Sequence, residues 1–362
     1  MHFMKRIVLA CIAVCLYIHS PAISRDSTAP GTHPGWVFPE KEWIKRSPRS
    51  LEINTDTLAA VGALIKKAHA NAVLIRNGYL VAEWNYDGPG DMKLEVQSIT
   101  KSITSMLLGV ALKEGKIADI HDRVKDYYPD FSVGPYTNEI SFWHLVTNTS
   151  GIKARHYAYN YFDPDNSPPG IASQYHNDHI GELSSALAYI FGDPLIKVLQ
   201  TRVLSVIGGE AGWGTDDVIV HFADGRQINR NPGYAFSKWS ARDLARVGWL
   251  YANKGRWKGT QLISPGYVDS SWTPLKVPVL QFSRPPKSMS DTLVDKTYGY
   301  GWRAIYADSG ELIWYMSGNG GQFCAVVPSK GIVLAKINGY SEAYRPYVGI
   351  EPFKNLILSL VK

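Results

Sequence analysis

Residues 97–109 read QSITKSITSMLLG, and they carry more information about the protein than any other stretch. Ser98 stands where an apolar helix begins, and Lys101 follows three positions later. Three residues of an α-helix turn through about 300°, so the two side chains share one face. A serine hydroxyl needs a base to become a nucleophile, and a lysine whose pKa is lowered by burial can be that base. The alternative is a capping serine with a solvated lysine.

Two later segments carry side chains that would suit such a nucleophile. Tyr175 and Asn177 flank His176 just before a helical pattern, where a phenol can move a proton and an amide can hold a substrate carbonyl. Residues 315–322 read YMSGNGGQ at the end of a predicted strand. Glycines let a substrate approach the backbone, and a free N–H there, with that of Ser98, could bind an oxyanion. The alternative for residues 175–177 is a turn with a packed ring, and the alternative for residues 315–322 is a glycine-rich bend.

Strand patterns lie near both ends of the chain. Residues 71–76 and 79–84 are β-rich runs separated by Asn77-Gly78, the strongest short signal for a hairpin. The further predicted strands are 298–306, 312–317, 323–327 and 332–336. The predicted helices are 54–69, 98–114, 140–148, 181–191, 194–206, 240–254 and 347–360.

This distribution predicts an α/β (α+β) architecture. One antiparallel sheet is built from both chain ends, in residues 25–115 and 287–362, and is covered by the first and last helices. A mostly helical domain, residues 116–286, is inserted between them. The active site is expected in the cleft where the two parts meet.

The N-terminus is typical of a secretory signal peptide. Two basic residues precede an apolar run over residues 7–18, and Ala22 and Ser24 form a small-x-small cleavage pattern. The sequence therefore predicts a leader, residues 1–24, and a periplasmic or secreted location. A lipoprotein cysteine at Cys11 is the less favoured alternative. The apolar run is too short to span a bilayer, and no stable membrane insertion of the mature chain is expected.

Composition excludes several classes of protein. Hydrophobic residues make up 45% and charged residues 19% of the 362, which argues against a disordered chain. The net charge of +6 is small for this length and forms no long basic stripe, so nucleic acid is not an expected partner. Of three cysteines, Cys324 alone follows the predicted leader, and its apolar surroundings favour a buried structural residue. No metal or cofactor is expected, because the His176…His179 pair lacks the glutamate of a zinc-protease motif.

Taken in order, Ser-x-x-Lys at 98–101, Tyr-x-Asn at 175–177 and Ser-Gly at 317–318 resemble the motifs of the serine β-lactamase and penicillin-binding-protein superfamily. The chain is most similar to its class C β-lactamases, D-alanyl-D-alanine carboxypeptidases and β-lactamase-like esterases. Residues 144–151 (HLVTNTSG) and 241–246 (ARDLAR) also resemble family segments. The GNGGQ run at 318–322 looks most like the 6-aminohexanoate-oligomer hydrolase subgroup.

The resemblance implies a β-lactamase/transpeptidase-like fold and an acyl-enzyme mechanism. Ser98 would attack a carbonyl, and Lys101 and Tyr175 would share the general acid/base role, Tyr175 managing the deacylating water. Asn177 would orient the substrate, and the backbone N–H groups of Ser98 and Asn319 would bind the oxyanion. The expected partner is a small ester, amide or peptide-like molecule.

One departure bears on the substrate. The family's third motif, here Ser317-Gly318, usually opens with a lysine or histidine that pairs with a substrate carboxylate, and Met316 stands in that place. The departure shifts the expectation from β-lactams and carboxylate-bearing peptides to small esters or amides. The alternatives are a β-lactamase or D-Ala-D-Ala carboxypeptidase, and a non-catalytic wall-binding relative. An α/β-hydrolase is disfavoured, because the sequence lacks a Gly-x-Ser-x-Gly motif.

Overall fold

The computed structural model describes residues 35–152, 167–171, 173–277, 298–339 and 346–361. The predicted leader, residues 1–24, lies outside them. The helices are α1 (Thr55–Lys67), α2 (Ile99–Lys113), α3 (Val124–Tyr127), α4 (Phe142–Val146), α5 (Asn177–Phe191), α6 (Leu195–Leu199), α7 (Ser205–Ile207), α8 (Ala241–Ala252), α9 (Pro265–Ser271) and α10 (Lys354–Ser359). The strands are β1 (Asn71–Arg76), β2 (Tyr79–Asn85), β3 (Leu94–Glu95), β4 (Ala211–Trp213), β5 (Ile219–His221), β6 (Gln227–Asn229), β7 (Ser237–Trp239), β8 (Arg256–Trp257), β9 (Thr260–Gln261), β10 (Arg303–Tyr306), β11 (Leu312–Gly318), β12 (Gln322–Val327) and β13 (Ile332–Ile337).

The main sheet joins the two ends of the chain, which confirms the predicted architecture. Its strand order is β10-β11-β12-β13-β1-β2, and every neighbouring pair is antiparallel. The strands from the two parts of the chain meet where β1 pairs with β13, and Val73 lies opposite Ala335 there. Asn77 and Gly78 turn β1 into β2 with φ angles of 53° and 84°, the left-handed backbone that a tight hairpin requires.

Alternate residues of these strands enter two separate cores, because successive side chains of a strand point to opposite faces of the sheet. One face packs against α1 and α10 and includes Leu74, Phe323 and Leu334. The other packs against α8, which crosses β12, β13 and β1. A Cβ on Gly248 of α8 would lie 2.7 Å from Val333 Cγ1, so the helix rests directly on the sheet.

The segment between residues 116 and 286 holds more than helices. It contributes β4 and β7 to a small sheet of order β3-β7-β4, and it forms the hairpins β5-β6 and β8-β9. These strands of two or three residues are too short to show a period in the sequence. Helix α8 lies in the same segment and packs on the main sheet. The domain boundaries given above remain a prediction.

Several predicted elements are shorter than expected. In the predicted strand 298–306, only Arg303–Tyr306 is a strand, because Gly301 has a φ of 77° and turns the chain against the backbone of Lys101. The predicted helix 347–360 is observed as a 3-10 turn, Glu351–Phe353, followed by α10. Pro352 lies in the first turn of this segment, where a residue without a backbone N–H is tolerated, and the α-helical part begins at Lys354.

Further differences concern helix boundaries. The predicted helix 140–148 is reduced to α4, because Ser141 forms a capping box with His144 and sets the start. Helix α5 begins four residues before the predicted position 181, and the predicted helix 194–206 contains a π-helical segment, Gln200–Leu204, between α6 and α7. Along the described stretches, none of the helices is long and apolar enough to cross a membrane.

Candidate active site

Ser98 lies at the point where the chain enters α2. It occupies the N-cap position and is half-buried, and the helix that follows is buried from Ile99 to Ala111. The preceding residue, Gln97, has a φ of 50°, an uncommon left-handed conformation for a residue with a side chain. The hydroxyl of Ser98 makes no capping bond to the helix backbone. It is therefore available to the side chains around it.

Lys101 lies one helical turn below Ser98, as the spacing predicts. Its side chain is 2% exposed, and its Nζ is 3.0 Å from Ser98 Oγ. The same amine donates to Asn177 Oδ1 at 2.7 Å and to the carbonyl oxygen of Tyr234 at 3.1 Å. Burial lowers the pKa of Lys101, Tyr175 beside it opposes that effect, and the charge of Arg303 adds to it. A neutral amine is therefore accessible in this position, and a neutral amine can accept the serine proton.

Tyr175 joins Ser98 and Lys101 from a loop before α5. Lys101 Nζ lies 5.1 Å from its ring centroid, and the guanidinium carbon of Arg303 lies 5.0 Å from the same centroid. Burial alone raises the pKa of Tyr175, but the charges of Lys101 and Arg303, with hydrogen bonds to Ser98 and Lys101, lower it. The phenol and the amine thus form a pair in which either group can take the proton from Ser98.

Asn177 is the first residue of α5, and the start of that helix fixes its position. His176 caps the helix by accepting the N–H of Asp178, and Asn177 then turns its amide oxygen to Lys101. Two residues after Asn177, His179 is buried, and its two ring nitrogens are hydrogen-bonded to Ser150 Oγ at 2.7 Å and to the carbonyl of Gln174 at 2.9 Å. Burial holds the pKa of His179 well below its usual value. A neutral His179 therefore anchors the residue next to Tyr175.

The third predicted segment meets the first where β11 ends. A Cβ on Gly318 would lie 2.3 Å from the carbonyl oxygen of Val96, so the strand end touches the backbone that leads to Ser98. Ser317 is half-buried, and Asn319 is exposed in the turn between β11 and β12. Gln322 bridges the two segments, since its Nε2 donates to the carbonyl oxygens of Glu95 at 2.9 Å and of Asn319 at 3.3 Å.

Met316 and Cys324 lie opposite each other on β11 and β12, inside the core. Met316 is 0% exposed, and its side chain is uncharged, so this position cannot pair with a substrate carboxylate. Burial raises the pKa of the Cys324 thiol, which keeps it protonated and unreactive. Among the described residues, no three His, Cys, Asp or Glu side chains converge where a metal ion could bind.

The motifs in the sequence assign no role to three residues that touch the site. The carbonyl of Tyr234 reaches Lys101 because Gly233 packs so closely that a Cβ there would lie 2.8 Å from the carbonyl oxygen of Ile180. The Pro-Gly turn signal at 232–233 predicts the bend, but it does not predict that the bend packs against α5. Gln322 ends the glycine-rich run without a signal for its role, and Arg303 is one of several cations, with Lys276, that could replace the family's lysine.

Comparisons with known proteins show the family and the fold. The sequence profile of the family described as Beta-lactamase matches residues 61–338. Curated protein sequences include no match to this chain.

Solved structures with the same fold include three of distinct origin. A Bacillus anthracis protein, provisionally described as a 6-aminohexanoate-dimer hydrolase, superposes with a TM-score of 0.61 at 17% identity, covering 82% of this chain and 81% of that one. An octameric penicillin-binding protein homologue from Pyrococcus abyssi superposes with a TM-score of 0.60 at 18% identity, covering 84% of this chain and 79% of that one. A β-lactamase/D-alanine carboxypeptidase from Pseudomonas syringae gives 0.56 at 18% identity, with 82% and 95% covered.

Proposed function

The chain belongs to the Beta-lactamase family, and we propose that it is a serine hydrolase that cleaves small ester or amide bonds through an acyl-enzyme on Ser98. The family and its hydrolase neighbours support serine-hydrolase chemistry in general. The observation that carries the assignment to Ser98 is the buried Lys101 amine, 3.0 Å from the serine hydroxyl. The bond class and the secreted location are part of the proposal.

The acylation step follows from these contacts. Lys101 or the Tyr175 phenolate takes the proton from Ser98 Oγ as that oxygen attacks the substrate carbonyl carbon. Backbone N–H groups of Ser98 and Asn319 bind the oxyanion that forms, and the positive end of α2 adds to its stabilisation. When the tetrahedral intermediate collapses, the bond to the leaving group breaks and that group takes the proton from the base. Asn177 holds Lys101 in place and faces the substrate.

Deacylation uses the same groups in reverse. Tyr175, with Lys101, takes a proton from a water molecule that attacks the acyl carbon. The acid product leaves, and Ser98 Oγ recovers its proton. The lowered pKa of Tyr175 favours this role, because a phenolate is a base and a neutral phenol is not.

A fluorophosphonate probe tests the nucleophile. It phosphonylates activated serines, so the wild-type chain should gain one label, and peptide mapping should place it on Ser98. Ser98→Ala should abolish labelling, and Ser205→Ala, at an exposed serine of α7, should leave it unchanged. A label that survives Ser98→Ala would show that another residue is the nucleophile. No labelling of the wild type would favour the non-catalytic, wall-binding alternative.

A second candidate activity, on carboxylate-bearing substrates such as β-lactams, is favoured by Arg303. Met316 removes the family's usual cation, but the guanidinium of Arg303 lies 5.0 Å from the Tyr175 ring. The test compares kcat/KM for nitrocefin with kcat/KM for p-nitrophenyl acetate and butyrate. Faster turnover of the esters supports the primary proposal. Faster turnover of nitrocefin, lost in Arg303→Met, supports the second.

A further inference from the structure

The turn between β11 and β12 is held in an unusual way. It connects Gly318 to Gln322, and Gly320 and Gly321 have φ angles of 86° and 81°. Glycines give a turn conformational freedom, and a flexible turn is a poor place for a hydrogen-bond donor that must be in position before the reaction. The turn carries Asn319, whose N–H is one of the two oxyanion donors proposed above.

Three consecutive carbonyl oxygens of the turn accept hydrogen bonds from buried side chains. The carbonyl of Asn319 accepts from Gln322 Nε2 at 3.3 Å, and that of Gly320 accepts from Asn338 Nδ2 at 3.2 Å. The carbonyl of Gly321 accepts from Lys336 Nζ at 2.9 Å. Because peptide units are planar, each bond fixes the orientation of a whole unit. The N–H of Asn319 therefore lies between the first of these fixed units and Gly318, the last paired residue of β11.

Lys336 is the least expected of the three donors. It lies in the middle strand β13 with 0% exposure, flanked by Phe323 on β12 and Ala72 on β1. Its amine reaches Gly321 and also Asn338 Oδ1 at 3.1 Å, so it supports the neighbouring donor as well. Burial lowers the pKa of Lys336 to about 7, and an amine in such a place destabilises the fold unless its contacts compensate.

Gln322 holds the turn from the opposite side. It is 1% exposed, and its amide nitrogen bridges the turn to Glu95, three residues before Ser98. Both acceptors are carbonyl oxygens, which settles the orientation of the amide. The two oxyanion donors, on Ser98 and Asn319, therefore belong to segments that one side chain ties together.

We propose that Lys336 and Gln322 are positioning residues that hold the 319–321 turn so that the Asn319 N–H is preorganised for the oxyanion. The inference rests on the proposed function, since it needs an acyl-enzyme on Ser98. Neither side chain touches the substrate in this account. Their effect belongs to the transition state, so they change kcat and leave KM nearly unaltered.

The test uses Lys336→Met and Gln322→Met in the full chain, with Leu334→Val as the matched control. Leu334 lies on β13 on the same face of the sheet as Lys336, two residues from it, and belongs to the core against α1 and α10. Loss of an entire oxyanion donor lowers kcat by about 10²- to 10³-fold. A misplaced donor should cost less, so we expect kcat for p-nitrophenyl butyrate to fall about tenfold in each variant, with KM within about threefold.

Infrared difference spectra of the acyl-enzyme, formed from the ¹³C-carbonyl ester, give the second readout. A weaker hydrogen bond to the acyl carbonyl moves its stretching band to higher wavenumber. The band should move in Lys336→Met and Gln322→Met and stay in place in Leu334→Val. If the wild type forms the acyl-enzyme but both variants keep its band and its kcat, the inference is wrong and the proposed function stands. If the wild type forms no acyl-enzyme, both are wrong.

Discussion

Replacing Lys101 by methionine should remove the base and leave the shape of the site intact. Methionine has a similar length and volume, so the pocket between α2 and α5 stays filled. General acid/base catalysis contributes about 10²- to 10⁴-fold, and we expect kcat for p-nitrophenyl butyrate to fall by at least about 10²-fold. That loss corresponds to about 2.7 kcal/mol or more in the activation barrier.

The effect on stability can be separated from the effect on rate. Lys101→Met leaves two acceptors, Asn177 Oδ1 and the carbonyl of Tyr234, without their donor. Each buried unpaired group costs about 1–3 kcal/mol, offset in part because a buried amine is removed. The variant should therefore unfold at a lower denaturant concentration and still be folded at 25 °C. Activity is compared per mole of folded protein, measured by circular dichroism.

The pH dependence provides the sharper readout. A base works when deprotonated, so wild-type kcat/KM should rise with pH, and Lys101→Met should lose the part of that rise due to the amine. The pKa of Lys101 is lower in the folded chain than in the unfolded one, so the unfolded state binds more protons between those values. Wild-type stability should then increase with pH across that window, and the variant should lack this increase.

Stopped-flow bursts of p-nitrophenol locate the step that is lost. If Lys101 is the acylation base, the burst should slow with the steady-state rate. Lys101→Met with full activity and an unchanged pH profile would refute the mechanism. In that case, a large loss of activity in Tyr175→Phe would identify the phenol as the base.

Three further outcomes are expected. Gly318→Ala places a Cβ 2.3 Å from the carbonyl oxygen of Val96. It should lower the free energy of unfolding by about 1–3 kcal/mol and slow the labelling of Ser98. A variant that melts and is labelled like the wild type would show that the strand end can shift freely. Met316→His places an imidazole at a position that is 0% exposed and faces Cys324, so it should lower stability by about 1–3 kcal/mol and raise kcat/KM for nitrocefin by less than about tenfold; a larger gain would show that the side chain at 316 reaches the substrate. N-terminal sequencing of chain recovered from a bacterial periplasm should begin at Arg25, and an intact N-terminus would contradict the predicted leader.

The sequence by itself determined the parts of this protein that depend on local patterns. Asn77-Gly78 between two β-rich runs was enough to predict the hairpin, since only a left-handed backbone closes so short a turn. The spacing of Ser98 and Lys101 predicted their contact, because an α-helix places residues three apart on one face. Strand patterns near both ends of the chain predicted one shared sheet, and the order of the three motifs pointed to the family.

Tertiary structure decided what depends on segments distant in sequence. Arg303 comes within 5.0 Å of the Tyr175 ring only because Gly301 turns the chain against α2, and the Tyr234 carbonyl reaches Lys101 only because Gly233 packs against α5. Burial of Lys336 in the middle of a sheet is set by strand order, which the pattern of that strand does not encode. The pKa values of Lys101 and Tyr175 likewise arise from desolvation and nearby charge, and both are properties of the packed chain.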